Sequence, residues 1–153
     1  GSLASRIAGE PPTARATAAG IGREPTVVPE LREVALGEWE GLDRHELTAR
    51  YPREWAEWRR HPSWDIVPGG EAAAAFEGRV GSAIDSIVES HPTGRVLIVT
   101  HGGVIQVALL RITGGSSNGL FRFTIEHTSL TVPEGPPDRP VVGRVNAPRH
   151  PAR

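Results

Sequence analysis

The stretch Arg95-Val96-Leu97-Ile98-Val99-Thr100-His101-Gly102-Gly103-Val104 decides how this chain folds. Its first half is an unbroken apolar, β-branched run, the pattern of a strand covered on both faces in a parallel sheet. Two glycines then make a turn, and residues 104–113 predict a helix apolar on nearly every side, closed by Gly114-Gly115. Strand, glycine turn and buried helix in that order point to an α/β fold with a mostly parallel sheet flanked by helices. Ligands in such folds sit beyond the carboxyl ends of the strands, and His101 falls there. Gly102 and Gly103 carry no side chain to obstruct a ligand, and the helix start presents unpaired N–H groups with a partial positive charge. That combination suits an anion, a phosphate first of all. A histidine that merely ends a strand and bonds a backbone carbonyl is the other reading of His101, and spacing alone leaves both open.

Working outward, residues 71–90 are expected to form a long helix with Phe76, Val80, Ala83, Ile84, Ile87 and Val88 as one buried stripe, stopped at His91-Pro92-Thr93-Gly94. Asp43 with Glu46 reads as a capping box opening a helix that Pro52 interrupts and restarts. Trp55 and Trp58 share a helix face, and with Trp64 they are expected to pack as an aromatic cluster. Residues 26–36 mix a short strand with an extended loop, since Pro29 cannot donate to a ladder, and residues 37–42 form a turn between glycines. Near the front, residues 13–21 predict a short Ala-rich helix after Pro11-Pro12. Beyond the buried helix, residues 121–125, 129–132 and 140–145 read as short strands, and residues 147–153 as a frayed end.

Composition narrows the functions. The chain has 153 residues with a formal net charge of −1, so it is one domain without the basic footprint of a nucleic-acid binder or a polybasic membrane anchor. It has no Cys, which removes disulfides, thiolate chemistry and Cys-held metal and makes a reducing cytoplasm the default compartment. No apolar run is long enough to span a bilayer and no signal peptide opens the chain. All 17 basic residues are Arg, and Ala, Gly and Pro are abundant, a composition typical of GC-rich bacterial genomes. There is no Met, so the chain is expected to be a fragment of a longer protein.

Several further residues are candidates for chemistry. Glu33 precedes the glycine-bounded turn and has the chemistry of a general acid, given burial to raise its pKa; Glu38 and Glu40 compete for that role, and a solvated carboxylate is the plain alternative for each. Arg15 is the cation of the first helical stretch, either a phosphate clamp or an exposed arginine. His127 and His150 carry no motif. His45-Glu46 begins like a zinc-binding helix, but Ala49 stands where the second histidine belongs, and a zinc hydrolase is rejected.

Five strings in the right order resemble one family, the histidine phosphatase superfamily of phosphoglycerate-mutase-like proteins. Leu31-Arg32-Glu33-Val34 with the segment Leu36-Gly37-Glu38-Trp39-Glu40-Gly41-Leu42 resembles its general-acid region, and Pro68-Gly69-Gly70-Glu71 with Arg79 its loop and long helix. Val99-Thr100-His101-Gly102-Gly103-Val104 resembles its second-histidine motif, and Thr128-Ser129-Leu130-Thr131-Val132 and Asn146 with His150 its closing strands. The resemblance implies a phosphoglycerate-mutase-like domain over residues 1–146, incomplete at its N-terminus, followed by a tail at 147–153. It also implies a phosphomonoesterase working through a phosphohistidine, with a small phosphorylated substrate and no metal or other cofactor, and leaves room for a homo-oligomer. His101, Gly102, Gly103 and Arg15 would hold the phosphoryl group, and Glu33 would protonate the leaving oxygen. The short stretch between Gly41 and Pro68 resembles the broad phosphatases of the family more than its mutases.

The resemblance breaks at the front. The family's nucleophile lies in an Arg-His-Gly motif on an opening strand, and no such string occurs in this sequence; Arg44-His45 is followed by Glu46 inside a predicted helix. That opening strand is the family's neighbour for residues 95–99, so a slot beside this strand is expected, filled by another segment or by a longer parent chain. Residues 3–12 read either as the end of a helix or as a degraded second strand. The alternative to the enzyme is a non-catalytic relative that binds a phosphorylated ligand or a protein.

Overall fold

The parallel sheet is built from three strands, β1 (Leu3–Ala8), β2 (Thr26–Val28) and β3 (Arg95–Val99), in the order β2-β1-β3. The computed structural model describes residues 3–8, 24–115, 122–136 and 139–147. In register, Leu3 faces Arg95 and Ile7 faces Val99 on one side of β1, while Arg6 faces Thr26 on the other. Residues 3–8 are thus strand, which decides between the two readings of the front segment. Among the described residues β3 pairs only with β1, so it ends the sheet. Val96, Leu97, Ile98 and Val99 are accordingly half-buried, where the apolar run alone predicts cover on both faces.

Four α-helices are described. In α1 (Arg44–Arg50) the expected capping box is complete: Glu46 N–H donates to Asp43 Oδ1 at 2.9 Å and Asp43 N–H donates to Glu46 Oε2 at 2.9 Å. Pro52 sits at the first position of α2 (Pro52–Arg60), where its missing N–H costs nothing. Trp55 and Trp58 stack with ring centroids 5.5 Å apart, and Trp39 from the glycine-bounded turn meets both edge-on at 5.8 and 6.3 Å. The sequence pattern groups Trp55 and Trp58 with Trp64; the ring contacts add Trp39, which follows Gly37 where two loops close to backbone contact. Gly37 has φ +49°, and a Cβ on it would overlap the Gly69 and Gly70 backbone.

The long helix α3 (Ala73–Ser90) begins two residues after Glu71 and buries Phe76, Val80, Ala83 and Ile87, leaving Ile84 at the margin and Val88 39% exposed. A stripe through 76, 80, 83 and 87 turns Val88 a full 100° away from Ile87, so Val88 lies outside the buried face. The helix α4 (Gly102–Thr113) packs on α3 and buries Val104, Val107, Leu109 and Leu110; Gly114 ends it in the left-handed conformation at φ +72°. Leu31, Val34, Phe76, Val80, Val104 and Val107 share one core. The helix expected at residues 13–21 lies outside the described residues.

After α4 the chain forms an antiparallel pair, β4 (Leu130–Glu134) and β5 (Val141–Ala147). Ala147, read from sequence as the start of the tail, is therefore the last residue of β5. The strand expected at 121–125 does not form over the described residues 122–125. Gln106, only 3% exposed, bonds both the carbonyl and the N–H of Phe123, and Asn146 bonds Thr124 O, Glu126 N–H and Ser129 Oγ. Side chains thus take the backbone groups that a ladder would have used. No helix among the described residues is long and apolar enough to cross a membrane.

Candidate active site

The site forms where β3 gives way to α4. Val99 ends the strand, Thr100 leaves it, and His101 is the extended N-cap residue of α4 with φ −101° and ψ 166°. Its imidazole makes no capping bond and is half-buried. The cap comes instead from a distant carboxylate: Glu33 Oε2 accepts from the Gly103 N–H at 3.0 Å, and its Oε1 accepts from the Val34 N–H at 3.0 Å. A carboxylate on the second N–H of a helix satisfies an orphan donor and meets the positive end of the helix dipole. Thr100 ties the same two segments together by donating its hydroxyl to Leu31 O at 3.0 Å.

The two glycines after His101 differ. A Cβ on Gly103 would overlap Glu33 Oε1, so the missing side chain makes room for the carboxylate. A Cβ on Gly102 meets nothing within 4 Å, and that face of the turn is open. The structure thus brings Glu33, His101, Gly102 and Gly103 together, although Glu33 and Gly103 lie 70 residues apart in sequence. Arg15 lies outside the described residues, as does His150. The competing carboxylates have other duties: Glu40 accepts from Leu36 N–H at 2.7 Å, and Glu38 accepts from the Tyr51 hydroxyl at 2.8 Å, a bond that raises the Tyr51 pKa. His127 is exposed on the loop before β4. No group of three or more possible metal ligands occurs among the described residues.

The family strings include Glu71 and Arg79 as well as Glu33, but give those two no role. Arg79 on α3 reaches back to the loop that carries Glu33, and its guanidinium grips Glu71, whose carboxyl it holds below the usual glutamate range against the opposing effect of burial. The available signal was position: Arg79 is a charged residue next to Val80 and one turn from Phe76, both fully inside the core. Such a residue needs buried partners.

A three-stranded parallel sheet with helices packed against it, and a helix start that seats a carboxylate at the end of its edge strand, define an α/β class whose ligands lie beyond the carboxyl ends of the strands. Residues 10–148 match the family model described as histidine phosphatase superfamily (branch 1), and the chain belongs to that family. Over 93 residues it is 36% identical to a metal-independent phosphoserine phosphatase of Arabidopsis thaliana, a match covering 60% of this chain and 39% of that protein. Over 100 residues it is 26% identical to the adenosylcobalamin/alpha-ribazole phosphatase of Escherichia coli K12, covering 65% of this chain and 49% of the relative. The crystal structure of an alpha-ribazole phosphatase from Shigella flexneri superposes with a TM-score of 0.79 at 21% identity, over 94% of this chain and 73% of that one, a likeness of fold. The chain spans about half or less of the length of these two curated relatives.

Proposed function

We propose that this chain forms the second-histidine and acid half of a phosphomonoesterase acting through a phosphohistidine, with the nucleophilic histidine supplied by a strand outside these residues. The observation that carries the reading is the Glu33 carboxylate seated on the Gly103 N–H, two residues after His101. It joins the acid segment to the second-histidine segment at the end of the strand where α/β folds place ligands. The names of the relatives, phosphoserine and alpha-ribazole phosphatases, support a small phosphate monoester as substrate.

The chemistry follows from the roles. An imidazole nitrogen attacks phosphorus in line; the N–P bond forms as the P–O bond to the leaving group breaks, and Glu33 gives its proton to the departing oxygen. Water then attacks the phosphohistidine and returns a proton to Glu33, so phosphate leaves and the histidine is restored. His101 and the open Gly102 face hold phosphoryl oxygens, and Arg15 is assigned a clamp in the same role. Gly103 serves by admitting the carboxylate. The edge of β3 that has no strand partner among the described residues suits a parallel strand carrying Arg-His-Gly, whose end would then lie beside His101.

Adding an Arg-His-Gly strand ahead of residue 1 tests this. The extended protein should hydrolyse p-nitrophenyl phosphate, and His101→Ala should lower kcat by about 100-fold or more. Unchanged turnover in that variant refutes the role of His101. Stabilisation by orthophosphate with no product from any monoester would instead assign the chain to the non-catalytic binders.

A further inference from the structure

We propose that Arg79 and Glu71 are positioning residues that set the Glu33 carboxyl on the start of α4; the idea rests on Glu33 being the acid of the site. The Arg79 guanidinium serves the loop at three points of its backbone, within four residues of one another. Nη1 donates to Glu30 O at 2.5 Å and to Arg32 O at 2.9 Å, and Nη2 donates to Glu33 O at 3.0 Å. Its Nε and Nη2 also donate to Glu71 Oε1 and Oε2 at 2.5 and 2.6 Å. Glu71 in turn holds the far side of Glu33: its N–H donates to Ala35 O at 2.8 Å and its Oε2 accepts from Ala35 N–H at 3.4 Å. The pair therefore grips residues 30, 32 and 33 before the acid side chain and residue 35 after it.

That pattern does more than pair two charges. Residues 32–36 lie in no helix or strand themselves, so their geometry is set by whatever accepts or donates at each peptide. Only a planar five-donor fork reaches three carbonyls and a carboxylate at once; a lysine at the same place has a single point of charge. The guanidinium is itself fixed, since its carbon lies 4.8 Å over the ring of Phe76, which is fully buried, and the Arg79 and Glu71 side chains are 14% and 12% exposed. A buried ion pair contributes little net stability against an apolar pair of the same size, whereas an acid displaced by an ångström loses its proton-transfer geometry.

The test uses the ¹⁵N-labelled full chain. Glu33→Gln should move the Gly103 and Val34 amide resonances and speed their hydrogen exchange. Arg79→Gln, with Glu33 intact, should reproduce both changes, Arg79→Lys should not rescue them, and the double variant Arg79→Gln with Glu33→Gln should add nothing. Glu71→Gln, a milder change of nearly the same volume, should displace the same two amides in the same direction. If Arg79→Gln lowers Tm while Gly103 and Val34 keep their wild-type shifts, the proposal is overturned. Collapse of both the Arg79→Gln and Glu71→Gln spectra to those of unfolded chains overturns it too, assigning the pair to stability alone. In the extended enzyme, Arg79→Gln should cut kcat on an alkyl phosphate by about tenfold or more with KM little changed, and cost far less on p-nitrophenyl phosphate, whose leaving group needs no proton. Amides that move as described in a protein with no hydrolysis would reject the phosphatase reading and leave the positioning intact.

Discussion

Replacing Gly103 by Ala should destabilise the protein, while the same change at Gly102 should not. Neither glycine has a positive φ, so alanine is strain-free at both, and each change gains up to about 0.5–1 kcal/mol of helix propensity. At Gly102 nothing opposes that gain, because a Cβ meets open space. At Gly103 the methyl takes the place of Glu33 Oε1, so the carboxylate must leave and its bond to the Gly103 N–H is lost. A hydrogen bond to a charged group contributes about 1.5–3 kcal/mol, which leaves a net cost of roughly 1–2 kcal/mol. For a chain of this length that is a fall in Tm of about 2–8 °C. Thermal or urea unfolding of both single variants reads the sign, and a double-mutant cycle with Glu33→Ala reads the cause. In the Glu33→Ala background Gly103→Ala should become neutral or stabilising. An equal loss in both backgrounds would refute the claim that the carboxylate is what Gly103 accommodates.

Other consequences are checked by routine measurements. Because Arg79 holds the folded Glu71 carboxyl below its ordinary value of 4.5, the folded state binds fewer protons there than the unfolded one. That stabilisation is whole above about pH 4.5 and is lost as the pH falls through the lower folded value, so the Tm gap between wild type and Glu71→Gln should close on acidification; a constant gap would show that the charge is not responsible. Gln106→Leu should cost about 1–3 kcal/mol and speed exchange of the Phe123 amide, since the partner of that N–H and carbonyl is removed. Ile87→Ala should cost about 2–5 kcal/mol, whereas Val88→Ala should stay within about 0.5 kcal/mol, and comparable losses at the two positions would refute the phase of α3.

What could be read in the sequence was local. Asp43 with Glu46, Pro52 at a helix start, and the passage from Val99 through His101 to Gly103 each involve neighbours within a few residues, and periodicity or cap chemistry reports on such spans directly. Glu33 was legible as an acid next to a tight turn and through its family string. Its seat was not, because the Gly103 N–H, Arg79 and Glu71 reach it from 38 to 70 residues away, and no composition rule says which charged helix residue turns inward. The missing strand at 122–125 has the same origin: β-propensity favours it, and the buried Gln106 on a different element claims its backbone groups. Val88 fell outside the stripe because an apolar residue adjacent to a buried one satisfies a pattern count without lying on the same face.

The position of an orthovanadate ion bound to the crystallised chain tests the central claim most directly. The ion should lie at the end of β3, within hydrogen-bond distance of the His101 imidazole and against the open face of Gly102, with the Glu33 carboxyl alongside. An ion seated elsewhere, or a His101 ring turned away from it, would contradict the account.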